Sequence, residues 1–203
     1  MQLKALLDAI EITNGREVEP LEIHNVSYHS QKVQEGDLFV CVKGYKTDGH
    51  KYLGDAVKRG AVAAVVEDVQ ENIDIPQFVV KNSRVALARL GARFYQDPSS
   101  KLNMIGITAT NGKTTTTYMT NAILENEGRR TGLIGTVIVK NGDESIPAEL
   151  TTPESLDLQR YLHDMVQNDV THVTMEVSSA ALELHRVEGV KYDIVSLNNM
   201  SKE

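Results

Sequence analysis

The amino-acid sequence predicts an α/β protein, with a small N-terminal α/β domain followed by a domain built on a mainly parallel sheet. Apolar runs of strand length alternate with segments whose apolar residues recur at helical spacing. One apolar run, residues 104–108, leads through a short turn and Gly112-Lys113-Thr114 into a helix pattern. Pro and Ser punctuate the chain at residues 97–100, so residues 1–98 and 101–203 are expected to form two domains.

In the N-terminal half, strand patterns alternate with helix patterns. Strands are predicted at residues 23–28, 38–42, 61–66 and 78–80. Helices are predicted at residues 2–10, 50–59 and 83–95, with Gly60 ending the second and Ser83 a candidate N-cap of the third.

The C-terminal half continues this alternation after the helix that follows Gly112. Strands are predicted at residues 131–139, 171–177 and 192–197, and a short helix at residues 178–184. Asn141-Gly142 predicts a hairpin turn. Thr152 is a candidate N-cap of a further helix that runs to residue 166, with Pro153 in its first turn.

Composition excludes several classes of function. The chain of 203 residues carries 21 Lys and Arg against 28 Asp and Glu, a net charge of −7, which argues against a general nucleic-acid binder. A single cysteine, Cys41, excludes an internal disulfide and fits a reducing cytosol, and in its apolar strand it is expected to pack rather than react. No signal peptide or membrane span is recognisable, so a cytoplasmic protein is expected.

The segment around Gly112-Lys113-Thr114 has the residue types of a phosphate-binding loop. Backbone N–H groups and the helix N-terminus would face the anion, Lys113 would reach the terminal phosphates, and the Thr114 hydroxyl would hold Mg²⁺. Five residues rather than the usual four separate Gly106 from Gly112, so the match is imperfect. The alternative is a turn that ends in glycine and carries a surface lysine.

Glu176 is the second candidate, because it lies in an apolar strand pattern directly before Val177 and two serines. A buried carboxylate needs a partner, and a magnesium ion on a bound phosphate would supply one. The alternative is that strand alternation places Glu176 on a solvated face.

Several ordered segments of the chain together resemble the Mur ligases, in particular their UDP-N-acetylmuramoyl-tripeptide synthetases of the MurE type. The resemblance rests on residues 37–40, 44–50, 107–115, 151–154, 175–179 and 185–187. The sequence Thr-Asn-Gly-Lys-Thr-Thr is this family's own variant of the phosphate loop.

The resemblance implies an ATP- and Mg²⁺-dependent amide ligase of peptidoglycan synthesis, and hence of cell-wall biogenesis, cell shape and cell division. Its substrates would be UDP-N-acetylmuramoyl-L-Ala-D-Glu and a diamino acid, either meso-diaminopimelate or L-lysine. The γ-phosphoryl group of ATP would pass to the substrate carboxylate, and the amine would then attack the acyl phosphate. A monomer that binds neither nucleic acid nor membrane is expected.

The resemblance also implies roles for individual residues. Lys113 and Glu176 would be catalytic, and Thr114 and Glu176 would hold the metal. The residues that would bind ATP are Ala109, Thr110, Asn111, Gly112, Lys113, Thr114 and Thr115. The residues that would bind the UDP-muramoyl-peptide are Ser30, Tyr45, Lys46, Thr47, Thr151, Thr152, Ser178 and Arg186.

Three residues depart from the family pattern. Ala109 replaces a glycine, so the loop must either avoid a positive φ at that residue or accept strain there. Ala180 and Leu184 stand where the family carries a histidine and often a glutamine. By the resemblance, residues 1–98 are expected to be a UDP-muramoyl-binding domain and residues 101–203 the first part of a P-loop ATPase domain. The chain also stops before the family's next metal-binding histidine, so the 203 residues are expected to be inactive alone.

Two other functions remain open from the sequence. One is a related ligase with another acceptor, such as a poly-γ-glutamate or folylpolyglutamate synthetase, which would not bind a UDP-sugar peptide. The other is a nucleotide-binding module without catalysis.

Overall fold

The computed structural model describes residues 1–44 and 47–201, and the chain divides into two compact units, Met1–Phe94 and Tyr95–Glu203. Each unit contains helices and one sheet, so the mixed α/β class is confirmed. Within the described ranges, no helix is long and apolar enough to cross a membrane.

The first unit is built on a four-stranded parallel sheet in the order β1-β2-β3-β4. Its strands are β1 (Val26–Ser27), β2 (Asp37–Val40), β3 (Ala61–Val66) and β4 (Gln77–Val79). Its helices are α1 (Leu3–Leu7), α2 (Leu53–Lys58) and α3 (Ser83–Phe94), with 3-10 turns at Ser30–Lys32 and Gly49–Tyr52.

Apolar runs predicted the inner strands of this sheet well. Strand β3 has the predicted bounds, because a run of Ala and Val buried on both faces is typical of a parallel strand. The start of α3 near Ser83 was predicted, but the choice of Ser83 as its N-cap was wrong. Asn82 accepts hydrogen bonds from the N–H groups of Arg84 and Val85, at 2.9 and 3.2 Å, whereas the Ser83 hydroxyl donates to Glu67 at 2.6 Å.

Cys41 follows β2 and is fully buried in the core of the first unit. Burial, with a smaller contribution from the charge of Asp48, raises the pKa of its thiol to about 12. The thiol therefore stays protonated at neutral pH, and Cys41 is the packing residue that the sequence predicted.

The second unit has a six-stranded sheet in the order β10-β5-β9-β6-β7-β8. Its strands are β5 (Asn103–Thr108), β6 (Thr131–Ile134), β7 (Ile138–Asn141), β8 (Glu144–Pro147), β9 (His172–Glu176) and β10 (Ile194–Leu197). Its helices are α4 (Lys113–Asn126), α5 (Ser155–Gln167) and α6 (Ser179–Glu183), after a 3-10 turn at Pro98–Lys101.

The single strand predicted at residues 131–139 was wrong. The chain turns back after Ile134, and β6 pairs with β7 in antiparallel fashion. The hairpin predicted at Asn141-Gly142 is confirmed, since Asn141, the last residue of β7, pairs with Glu144, the first residue of β8. The N-cap predicted at Thr152 was also wrong: α5 begins at Ser155 after Glu154, and the Thr152 hydroxyl is used elsewhere.

Four neighbouring strands, β10, β5, β9 and β6, run parallel, which determines where a ligand can bind. Their carboxyl ends meet at one edge of the sheet, and open parallel sheets bind ligands just outside that edge. Three pairs in register at this edge show the alignment: Leu197 with Thr108, Ile107 with Glu176, and Ile134 with Met175.

Candidate functional site

The predicted phosphate loop leaves the sheet at the end of β5 and enters α4 through Gly112. Gly112 has φ +84°, a left-handed conformation that favours glycine, and a Cβ at this residue would meet no atom within 4 Å. Ala109 is absent from the described non-glycine residues that have a positive φ. The loop thus takes its one left-handed turn at Gly112, and the alanine at residue 109 is accommodated.

Lys113 closes this loop on itself. Its Nζ donates to the carbonyl oxygens of Ala109, at 2.7 Å, and Thr110, at 3.4 Å. The side chain is half-buried. The ammonium group therefore lies beside the loop at the N-terminal end of α4, where a bound polyphosphate would meet both a positive charge and unpaired N–H groups of the first helical turn.

Glu176, the last residue of β9, is fully buried and connects directly to the loop. One carboxylate oxygen accepts from the Thr136 N–H at 2.9 Å. The other accepts from the Thr114 hydroxyl at 2.9 Å and lies 3.1 Å from the Thr136 hydroxyl. The solvated position that the sequence left open for Glu176 is therefore wrong.

No cation pairs with this buried carboxylate anywhere in residues 1–44 and 47–201. Each of its hydrogen-bond donors is neutral, and a carboxylate in such surroundings favours a nearby positive ion. In the same ranges no three His, Cys, Asp or Glu side chains are grouped so that they could hold a metal by themselves. Glu176 and Thr114 supply the oxygen ligands that Mg²⁺ prefers, and the ion would complete its shell with water and phosphate oxygens.

Gly135 explains how the carboxylate reaches this position. A Cβ on Gly135 would lie 2.5 Å from Oε1 of Glu176. Because Glu176 is buried and held by Thr114 and Thr136, its side chain cannot move aside without losing those hydrogen bonds. The loop after β6 therefore requires a residue without a side chain.

We expect Gly135→Ala to displace the Glu176 carboxylate, to lower the free energy of unfolding by about 2 kcal/mol, and to weaken Mg²⁺-dependent nucleotide binding. Urea unfolding and calorimetric titration with Mg²⁺ and an ATP analogue would measure both effects. Gly54→Ala is the control, since a Cβ there is 3.7 Å from Ile73 and fits inside α2. Equal behaviour of the two variants would contradict this account.

Thr151 and Thr152 extend the network from Glu176 to the start of α5. The hydroxyl groups of Thr136 and Thr151 are 3.1 Å apart, and since Thr136 gives its one proton to the carboxylate, Thr151 donates to Thr136. The Thr152 hydroxyl donates to the main-chain carbonyl of Glu176 at 2.8 Å and accepts from the Ser178 N–H at 3.1 Å. The predicted substrate residues Thr151, Thr152 and Ser178 thus surround the end of β9.

Arg186 lies in the same cluster. It donates to the carbonyl of Thr152 at 3.1 Å and pairs with Glu154 at 2.8 Å, while its Nε is buried and makes no hydrogen bond within the described part of the chain. His185, directly before it, has φ +54°, which is unfavourable for a residue with a Cβ. The backbone turns sharply after α6 and brings the guanidinium group back toward Thr152.

The residues predicted for the UDP end of the substrate lie in the first unit. Ser30 begins a 3-10 turn and is buried, and Thr47 is exposed, with its carbonyl accepting from the N–H of Gly44 at 2.8 Å. Tyr45 and Lys46 lie outside the described residues.

Asp48 and His50 fix the backbone just after Thr47. His50 Nε2 accepts from the N–H of Glu67 at 2.9 Å, so its proton is on Nδ1, which donates to Asp48 at 2.6 Å. Burial opposes ionisation of Asp48, but the hydrogen bonds from His50 outweigh it and lower the pKa of this carboxyl. The aspartate is therefore ionised and available to hold the histidine across the neutral pH range.

Sequence analysis missed three residues of this cluster: Gly135, Thr136 and Glu154. The first two lie at the carboxyl end of β6, where a parallel sheet places ligands, but the strand was predicted to continue through them. Glu154 was interpreted as part of a helix start and of a family segment, with no role in the site.

Two family models match this chain. The Mur ligase middle domain matches residues 107–203, and the domain described as Mur ligase family, catalytic domain, matches residues 22–95. The chain belongs to the Mur ligase family.

This Mur ligase chain resembles proteins that share one name. The UDP-N-acetylmuramoyl-L-alanyl-D-glutamate--2,6-diaminopimelate ligase of Alkaliphilus metalliredigens is 42% identical over 204 residues, which cover all of this chain and 41% of the relative. The chain spans about two fifths of the length of the curated relatives it matches.

Solved structures show the same fold. A structure of a UDP-N-acetylmuramoyl-L-alanyl-D-glutamate--2,6-diaminopimelate ligase superposes with a TM-score of 0.78 at 24% identity, over all of this chain and 41% of that one. The MurF ligase from Thermotoga maritima in complex with ADP has a TM-score of 0.57 at 25% identity, over 86% of this chain and 37% of that one.

Proposed function

We propose that this Mur ligase chain belongs to an ATP-dependent amide ligase that adds a diamino acid to UDP-N-acetylmuramoyl-L-Ala-D-Glu. The observation that carries the proposal is the connection between Lys113, Thr114 and Glu176. Lys113 closes a loop of the phosphate-binding type, and Thr114 donates a hydrogen bond to the buried carboxylate of Glu176. That carboxylate is paired with no cation among the described residues. The names of the 41–46% identical relatives support diaminopimelate, rather than L-lysine, as the amine substrate.

Residues of this chain would act on the nucleotide mainly through position and charge. Lys113 would face the terminal phosphates, and the first-turn N–H groups of α4 would donate to the remaining phosphate oxygens. Thr114 and Glu176 would hold Mg²⁺, which supplies charge neutralisation of the phosphate oxygens when it is bound. The ADP in the related Thermotoga maritima MurF structure supports a nucleotide as a ligand of this chain.

The cluster beside Glu176 would hold the carboxylate to be activated. Arg186, with a buried Nε that has no hydrogen-bond partner among the described residues, would bind an anionic group of the peptide. Thr151 and Ser178, whose hydroxyl groups lie 3.1 Å from that of Thr136 and 3.5 Å from that of Thr152, would offer further polar contacts. The carboxylate oxygen would attack the γ-phosphorus as ADP leaves. The amine would then displace phosphate from the acyl phosphate and lose a proton as the amide forms.

In the first unit, Ser30, Tyr45, Lys46 and Thr47 would bind the UDP group. The hydrogen bonds among Asp48, His50 and Glu67 fix the backbone that directly follows Thr47, which supports this assignment. We infer two domains: residues 1–98, which would bind the UDP-muramoyl end of the substrate, and residues 101–203, the first part of an ATP-binding domain.

Calorimetry on the 203-residue chain would test the proposal. We expect binding of UDP-N-acetylmuramoyl-L-Ala-D-Glu, and of a non-hydrolysable ATP analogue only when Mg²⁺ is present. Tetrahydrofolate is the control ligand, because a folylpolyglutamate synthetase would bind it and would not bind the UDP compound. Binding of tetrahydrofolate, or of neither acceptor, would overturn the proposed substrate.

Turnover would be measured in a ligase of the relatives' length that carries these 203 residues. We expect its ADP release to depend on both the UDP-dipeptide and diaminopimelate. Release that L-lysine supports better than diaminopimelate would contradict the proposed amine.

A further inference from the structure

Residues 198–201, which follow β10, lie against the phosphate loop. Strand β10 is the parallel neighbour of β5, and Leu197 is in register with Thr108, so the two chains leave the sheet side by side. The Asn198 N–H donates to the carbonyl of Thr108 at 3.1 Å, and its side-chain amide donates to the Thr116 hydroxyl at 2.8 Å. The segment therefore contacts both ends of the loop, at the close of β5 and in the first turn of α4.

Asn199 holds the middle of the loop. Its side-chain oxygen accepts from the N–H of Asn111 at 3.1 Å, and its side-chain nitrogen donates to the carbonyl of the same residue at 2.9 Å. Its main-chain carbonyl accepts from the N–H of Thr110 at 3.2 Å. A carboxamide carries a donor and an acceptor side by side, which lets one side chain pair with both main-chain groups of a single residue.

These hydrogen bonds determine how the loop presents its polar groups. The carbonyl oxygens of Ala109 and Thr110, on which Lys113 rests, belong to the peptides just before Asn111. With the N–H groups of Thr110 and Asn111 engaged by Asn199, those of Lys113, Thr114 and Thr115 are left at the helix start to face an anion.

We infer that Asn199 is a positioning residue, which holds the phosphate loop in its binding shape before the nucleotide arrives. The inference rests on the proposed nucleotide site. A loop that is already ordered loses less conformational entropy on binding, so the contribution of Asn199 would show in nucleotide affinity. The residue touches the loop backbone and is not assigned a contact with the substrate.

The test compares Asn199→Ala with Asn103→Ala in the 203-residue chain. Asn103 is a matched control, because its side-chain nitrogen also donates to a main-chain carbonyl, that of Thr171 at 3.0 Å, but at the opposite edge of the same sheet. We expect N199A to weaken binding of Mg²⁺ with an ATP analogue about 10-fold, as the loss of one or two hydrogen bonds would. N103A should change it less than about 2-fold.

Two further measurements separate positioning from a general loss of stability. Amide exchange at Asn111, followed by NMR, should become at least about 10-fold faster in N199A and stay unchanged in N103A. In a ligase of the relatives' length, N199A should raise KM for ATP and leave KM for the UDP-dipeptide unchanged. Asn199 is exposed, so replacing it with alanine or serine leaves no cavity. Asn199→Ser, which keeps a smaller polar side chain, should lose nucleotide affinity as N199A does.

Each outcome has a distinct meaning. Faster exchange at Asn111 with unchanged nucleotide affinity in N199A and N199S would overturn the inference and leave the proposed function intact. Failure of the unmodified chain to bind any nucleotide would instead refute the nucleotide site itself.

Discussion

Lys113→Ala is expected to lower the rate of ADP formation by at least about 1,000-fold, because the loop loses the charge that faces the transferred phosphoryl group. Binding of the UDP-dipeptide should not change, since its UDP group is assigned to the first unit. The rate would be measured in a ligase of the relatives' length, and UDP-dipeptide affinity by calorimetry on the 203-residue chain.

Lys101→Ala is the matched control for this variant. Lys101 is an exposed lysine of the same unit, but it lies in the 3-10 turn before β5 and thus at the other edge of the sheet. Its replacement should leave ADP formation within about 2-fold of the unmodified protein. Normal turnover in K113A would remove the basis for the whole phosphate site.

Glu176→Gln is expected to have opposite effects on binding and on stability. The new carboxamide would keep an oxygen to accept from the Thr136 N–H, and its NH₂ group could donate to the hydroxyl groups of Thr114 and Thr136, which can turn to accept. The buried charge would be gone. We expect the free energy of unfolding without ligands to rise by about 1 kcal/mol, and Mg²⁺-dependent nucleotide binding to fall at least about 100-fold.

Urea unfolding and calorimetry with and without Mg²⁺ would measure these two effects. Glu144→Gln, at an exposed residue of β8, is the control and should change neither quantity. An E176Q protein that binds the nucleotide with the same Mg²⁺ dependence would contradict the assignment of Glu176 to the metal. One that is less stable than the unmodified chain would contradict the destabilising effect assigned to the buried charge.

The parts of the fold that sequence analysis predicted are those where local residues determine the structure. The apolar run of β3 and the Asn-Gly turn between β7 and β8 each fold as their own residues dictate. Gly112 is similar, because a left-handed turn before a helix favours glycine whatever surrounds it.

The errors fall where distant residues compete for the same group. Thr152 has the residue type of an N-cap, but its hydroxyl is taken by the carbonyl of Glu176, which lies 24 residues away in sequence. Residues 131–139 are apolar enough for one strand, yet the chain turns back after Ile134. It passes at Gly135 so close to the Glu176 carboxylate that a Cβ would lie 2.5 Å from Oε1. Neither contact can be predicted from a local pattern.

The candidate site follows the same division. Lys113 and Thr114 could be selected from their motif, and Glu176 from its place in an apolar strand. Thr136 could not, because its contact with Glu176 depends on β6 and β9 becoming neighbours. Glu154 could not, because its partner Arg186 is distant in sequence. The roles of all these residues remain predictions until binding is measured.

The protonated, enclosed thiol of Cys41 has a practical consequence for studying the loop. Since this is the chain's one cysteine and burial keeps it from forming a thiolate, maleimide reagents should leave the native protein unlabelled. A second cysteine introduced on an exposed residue near the nucleotide would then carry the sole fluorophore, and its emission would report each binding event in real time.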